Sequence, residues 1–177
     1  MKINIMQRFK LTLILLTMTS LFTGCHSQPP ETVEFVDLEK YSGLWYEIAA
    51  FPTRFEKGCS NTTAEYQLSP KGYVIVINRC TRETKRTEIK GKAFVVPNSG
   101  NARLKVQFFW PFRGNYWIFE LADDYSWAVV GSPKRDYLWI LARSPEMDEE
   151  LYNEVAAQIA GKGFDISRLQ KTYHENK

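Results

Sequence analysis

The sequence predicts an all-β fold: an eight-stranded antiparallel up-and-down barrel with one C-terminal α-helix packed on it. Three observations carry that expectation. Short runs of alternating apolar and polar residues recur between turn signals from Leu44 to Ala142. Aromatic residues reach 14% of the chain (11 Phe, 9 Tyr and 5 Trp), a bias toward β structure. Beyond Ala142 the apolar spacing changes from the strand period to the helical one. The chain has 177 residues, 44% of them apolar, which is enough for one domain with a real core. No repeat, low-complexity segment or composition shift marks a second.

The elements follow in order. Leu44 to Phe51 is the first strand. Thr62 to Leu68 and Tyr73 to Asn78 flank the turn Ser69-Pro70-Lys71-Gly72 and form a hairpin. Lys85 to Val96 is the fourth strand, closed by Pro97-Asn98-Ser99-Gly100. In Ala102 to Phe109 the residues Ala102, Leu104, Val106 and Phe108 face one way, and Arg103, Lys105 and Gln107 the other. Trp110-Pro111-Phe112-Arg113-Gly114 then reads as an aromatic loop. Asn115 to Leu121, Tyr125 to Gly131 and Tyr137 to Ala142 complete eight strands. Pro145 to Glu150 opens the helix with acids in its first turn, where they complement the helix dipole. Leu151, Val155, Gln158 and Ile159 continue it, Gly161-Lys162-Gly163 stops it, and Phe164 to Thr172 reads as a short strand or extended tail.

The first 24 residues read as a signal peptide. A basic start is followed by an apolar stretch from Leu11 to Phe22, too short to span a bilayer. The residues Leu21-Phe22-Thr23-Gly24-Cys25 resemble the processing site of bacterial lipoproteins, with Phe22 where an aliphatic residue is preferred. That resemblance implies acylation of Cys25 (palmitate-type chains) and firm attachment to a membrane. His26, where an aspartate would retain the protein at the inner membrane, implies outer-membrane sorting in a Gram-negative cell. Residues 25–33, with Pro29-Pro30, read as a tether, and residues 34–177 as the domain.

The formal charge of +3 dissolves once the leader is set aside. Lys2, Arg8 and Lys10 belong to it, which leaves 20 basic and 20 acidic residues. No basic run interleaved with aromatics marks a nucleic-acid partner. Cys59 and Cys80 flank the first hairpin about two residues out of register, an offset a bulge can absorb. A disulfide is expected there; two free buried thiols are the alternative.

Gly43-Leu44-Trp45-Tyr46 resembles the G-x-W motif that opens lipocalin barrels. Arg135-Asp136-Tyr137 resembles the second motif of that family, and Arg143 its third, a lone arginine. With GLWYEIA, LKVQFF and DYLWILARSP, the chain from about residue 34 to 172 is similar to the bacterial outer-membrane, plant temperature-induced and apolipoprotein D branches of the lipocalins. The Cys59, Cys80 pair looks more like the last branch and its insect counterparts. The resemblance implies that Gly43, Trp45 and Arg143 close one end of the barrel, with the guanidinium over the indole. It also implies a bound hydrophobic or amphiphilic molecule, such as a fatty acid or lysophospholipid.

Contacts to such a ligand are expected from inward positions: Leu104, Val106, Phe108, Tyr116, Ile118 and Trp139. Tyrosine and tryptophan join a large apolar body to one polar tip, which suits an amphiphile. Core filling is the competing role of each. The resemblance places Arg113 at the mouth, where it could meet a phosphate or carboxylate; a solvated loop charge is the competing role. Catalysis is not expected. His26 and His174 are the only histidines, and both lie outside the predicted strands, so no Cys-His or Ser-His pair is formed in the barrel. No metal site or cofactor is expected. Asn61-Thr62-Thr63 is a sequon without meaning in a bacterial lipoprotein. The expected partners are a lipid and a membrane. The alternatives are an envelope interaction lipoprotein that uses the barrel surface, or a lipid-modifying enzyme. The sequence sets no oligomeric state, and a dimer is allowed.

Overall fold

Alternation along each strand, interrupted only by turns and bulges, closes one continuous antiparallel sheet. A computed structural model describes residues 28–175 of the chain. The expected signal peptide and Cys25 lie outside the described residues. The strands are β1 (Gly43–Ala50), β2 (Cys59–Leu68), β3 (Val74–Arg82), β4 (Lys85–Val95), β5 (Arg103–Gln107), β6 (Gly114–Leu121), β7 (Trp127–Gly131) and β8 (Leu138–Ala142). Each pairs with the next, and β8 and β2 both pair with β1, so the barrel closes.

The wall separates two cores. Trp45, Tyr66, Val76, Ala93, Leu104, Ile118, Val130 and Leu141 point inward and pack together. On the outer face of the same sheet, Ile48, Phe119, Val129, Leu138 and Ile140 meet α2 (Glu149–Gly161) through its buried Val155 and Ile159. Fully burying each of these two helix side chains contributes about 1.5–3 kcal/mol. Every residue of both cores lies between Val33 and Leu169. The eight strands and the C-terminal helix stand as expected, with bounds that shift for local reasons.

The helix starts at Glu149 rather than near Pro145. Asp148 is its N-cap and accepts hydrogen bonds from the amides of Glu150 at 2.8 Å and Leu151 at 3.3 Å. β5 stops at Gln107, so Phe108 and Phe109 belong to the loop between β5 and β6. β2 begins at Cys59 and β3 runs to Arg82, so the first hairpin is longer than its alternation suggests. A bulge between Ser60 and Thr63 absorbs the offset, with Asn61 at φ 51°, and brings the Cys59 and Cys80 Cα atoms to 5.5 Å in a disulfide. Closing this loop adds about 3 kcal/mol in the chain-entropy model.

Two short helical turns were not expected, whereas the short strand read within Phe164 to Thr172 is present at Gln170–Lys171. A single helical turn, α1 (Leu38–Tyr41), is capped by Asp37 and runs into β1. At the other end, a 3₁₀ turn (Ile166–Arg168) leads to β9 (Gln170–Lys171), which pairs with Ala49 and Ala50. β2 accompanies β1 only from Gly43 to Tyr46, and β9 takes over its edge beyond the point where β2 departs. Residues 28–33, expected as a tether, lie on the barrel: Val33 donates to the Ile118 carbonyl at 3.0 Å, and Arg135 donates to the Gln28 carbonyl at 3.1 Å.

Candidate functional site: a barrel plugged at one end and polar toward the other

Strand direction defines the two ends. The connections at 37–42, 69–73, 96–102 and 122–126 gather at one end, and those at 51–58, 83–84, 108–113 and 132–137 at the other.

The first end is sealed. Trp45 is fully buried and its indole Nε1 donates to the Tyr41 carbonyl at 2.8 Å. Arg143 covers the indole with its guanidinium carbon 3.8 Å from the ring centroid. Its Nη1 donates to the Leu44 carbonyl at 2.7 Å, and its Nη2 donates to the Lys40 and Ser42 carbonyls at 2.7 and 3.0 Å. A planar five-donor group can bind several carbonyls and stack at once, which an ammonium cannot. Gly43 has a φ of 99°, the left-handed region that favours glycine, and a Cβ there would touch Arg143 Nη1 at 3.4 Å.

Above this plug, the hydroxyls of Tyr41 and Tyr66 flank that of Tyr116 at 2.7 and 2.8 Å. Burial raises the pKa of all three phenols, so they remain neutral donors and acceptors. A void of about 10 Å³ lies among Leu38, Tyr66, Val74, Ala93, Leu104 and Tyr116. That is room for one water and not for an acyl chain. Leu104 and Tyr116 therefore belong to the floor, and Ile118 is fully buried beside them. Val106, Phe108 and Trp139 share the inward face but are only half-buried. Gly91 makes room for Phe108: a Cβ there would lie 2.7 Å from Phe108 Cδ1 and from the Gln107 carbonyl. Arg113 joins none of these residues. It is exposed, and its guanidinium carbon stacks 4.4 Å from the centroid of Phe94 on the outer wall.

Sequence reasoning missed a polar group on the inner wall. Glu47 is buried and lies opposite Leu141 on the inward side of β1. Its carboxyl accepts from Thr172 Oγ1 at 2.5 Å and faces Glu56. Burial first, and the negative charge of Glu56 second, push its pKa up to about 8. Glu56, on the 51–58 connection, accepts from Trp139 Nε1 at 3.1 Å and from Thr53 Oγ1 at 2.8 Å. Nearby on the inward side of β2 and β3, Thr62 Oγ1 and Asn78 Oδ1 are buried with no partner among the described residues. The available signal was parity. Glu47 falls two residues after Trp45, at an inward position where an ionisable residue is unusual.

Among the described residues no three His, Cys, Asp or Glu side chains gather as a metal site, and no helix is long and apolar enough to cross a membrane.

The plug, the barrel order and the covering helix agree with what comparison with known proteins finds. A family model described as a lipocalin-like domain matches residues 36–174. The chain is 41% identical over 151 residues to temperature-induced lipocalin-1 of Arabidopsis thaliana, covering 80% of this chain and 81% of that one. It is 40% identical over 159 residues to the outer membrane lipoprotein Blc of Escherichia coli K12, covering 86% and 90%. Apolipoprotein D of Macaca fascicularis is 33% identical over 185 residues, covering 94% and 96%. Among solved structures, insecticyanin from the tobacco hornworm superposes with a TM-score of 0.69 at 20% identity, covering 83% of this chain and 85% of that one. With the motif glycine, tryptophan and arginine meeting at the sealed end of an eight-stranded barrel, the chain belongs to the lipocalin family.

Proposed function

We propose that the protein binds a hydrophobic or amphiphilic small molecule, of the fatty-acid or lysophospholipid class, and stores or transfers it at the cell envelope. The observation that carries this reading is the gradient along the barrel interior. The floor is packed and plugged by Trp45, Arg143 and the three tyrosines, whereas Val106, Phe108 and Trp139 are apolar, inward and incompletely covered. An acyl chain laid against them gains about 0.8 kcal/mol for each CH₂ removed from water. Thr62 and Asn78 offer unpartnered polar atoms on the same inner face, suited to a headgroup or glycerol oxygen.

Residues 1–24 serve as a signal peptide, Cys25 carries the acyl anchor, residues 25–33 lead into the barrel, and residues 34–177 form the domain. The outer membrane lipoproteins among its relatives support an outer-membrane location, and in this reading the domain faces the periplasm. Relatives named as lipocalins and lipoproteins support binding rather than catalysis.

The test uses the chain lacking residues 1–25, which retains every residue of both cores. Organic extraction and lipid analysis should recover a co-purified lipid. A fatty-acid titration should quench tryptophan emission saturably, with most of the signal lost in Trp139→Phe. Absence of both bound lipid and saturable quenching would overturn the carrier reading. Turnover of lipid into product would replace it with an enzyme.

A further inference from the structure

Four large aromatic side chains stand in solvent at the open end. Phe55, on the connection between β1 and β2, is 80% exposed. Phe109, Trp110 and Phe112, between β5 and β6, are 67%, 86% and 76% exposed. Single exposed apolar residues are ordinary, but four aromatics on loops that rim one opening are not. Charge is distributed with the same polarity. The open-end connections 51–58, 108–113 and 132–137, together with the β3–β4 hairpin tip and its flanking strand ends at 82–86, hold eight lysines and arginines against three acids. One of those acids, Glu56, is turned in toward Trp139, and another, Asp136, is bonded to Ser132. The sealed-end segments 37–42, 69–73, 96–102, 122–126 and 143–148 hold six acids against three basic residues. A chain that is neutral overall outside its leader thus presents a basic, aromatic face at one end and an acidic face at the other.

We infer that the open rim docks on an anionic lipid surface, with Phe55, Phe109, Trp110 and Phe112 entering the interface and the surrounding basic side chains meeting lipid phosphates. Aromatic rings favour the boundary between headgroups and acyl chains, and lysines and arginines are attracted to anionic leaflets. The course of the amino-terminal segment agrees. Arg135, on the open-end connection between β7 and β8, holds the Gln28 carbonyl. Cys25 is three residues earlier, a reach of about 10 Å. An anchor there tethers the barrel from the open side, so this orientation rests on the acylation reading, whereas the docking itself does not. Lipid would then pass between bilayer and barrel interior across a short, desolvated path.

The chain lacking residues 1–25 tests the rim without the anchor. It should sediment with phosphatidylcholine vesicles that contain phosphatidylglycerol, with a blue shift in tryptophan emission. It should bind pure phosphatidylcholine more weakly, and binding should weaken as salt rises from about 0.1 to 1 M. The double variant Trp110→Ser/Phe112→Ser should bind about tenfold less, keep its melting temperature, and keep the fatty-acid titration. Lys85→Glu/Arg86→Glu should lose most of the salt-sensitive component. Absence of vesicle binding, or equal binding by the Trp110→Ser/Phe112→Ser variant, would overturn the inference. So would self-association that this variant abolishes, which would assign the rim to a second copy. Vesicle binding with a failed fatty-acid titration would instead remove the carrier reading and leave rim docking standing.

Discussion

Arg143 lies flat on Trp45, 3.8 Å from ring centroid to guanidinium carbon, while the same guanidinium gathers the carbonyls of Lys40, Ser42 and Leu44. The α1–β1 junction and the residue that follows β8, about a hundred positions apart in sequence, are therefore fastened at one point.

Replacing Arg143 by lysine should keep a charge and lose the fork. A single ammonium cannot serve the three carbonyls while covering the indole, so a loss of about 2–3 kcal/mol is expected. Urea unfolding followed by tryptophan fluorescence measures it. A loss below about 0.5 kcal/mol, the range of an ordinary surface substitution, would show that the plug is decorative.

Gly91→Val should damage both stability and ligand uptake. The Cβ would meet Gln107 carbonyl oxygen at 2.7 Å as well as Phe108 Cδ1 at 2.7 Å. Backbone cannot move aside as a ring can, so Phe108→Ala should rescue the variant only in part. We expect about 1–3 kcal/mol of destabilisation from thermal melts. Full rescue by Phe108→Ala would locate the whole conflict in the ring.

Reduction of the Cys59–Cys80 bond, or Cys59→Ser/Cys80→Ser, should cost about 3 kcal/mol by the chain-entropy model while leaving the sheet intact. Circular dichroism in the folded baseline should not change. A collapse of the β signal would mean that the bulge at Ser60–Thr63 depends on the bond rather than merely accommodating it.

Glu47 should make stability fall with rising pH. Its carboxyl ionises near the ordinary value of 4.5 in the unfolded chain but at about 8 in the folded one. Between those values the folded state holds a proton that the unfolded state has released, so folding is penalised progressively across pH 4.5–8. At about 1.4 kcal/mol per pKa unit, the full effect is at most about 5 kcal/mol. Glu47→Gln should flatten this part of the profile. His174 bonds the Glu47 backbone carbonyl at 2.8 Å, so the comparison is best made in a His174→Gln background. An unchanged slope in Glu47→Gln would remove this group as its source.

Most of the architecture was legible because alternation is a local property. Ala102 to Gln107 declares its inward face without reference to anything else, and Trp139 shares its parity with the plug residue Arg143. The less legible parts depend on distant partners. Nothing near Thr172 announces that its hydroxyl meets Glu47, 125 residues away. Asn61 is half of a sequon on paper and the left-handed residue of a bulge in the fold. The candidate ligand wall divided for the same reason. Leu104 and Val106 have identical local patterns, but only depth in the barrel distinguishes a floor residue from one open to a guest. Arg113, close in sequence to the mouth, turns outward because Phe94 offers its ring on that side.

The departure of β2 from β1 after Tyr46 has a consequence for how the protein is made. The vacant edge of β1 is occupied by β9, and residues just beyond it complete the seam: Thr172 donates from its amide to the Ile48 carbonyl at 2.9 Å, and Asn61 to the Tyr173 carbonyl at 2.8 Å. A chain emerging from its amino terminus thus carries an unsealed wall until residues 170–173 arrive. Residues 170–173 act as the zipper pull for that seam.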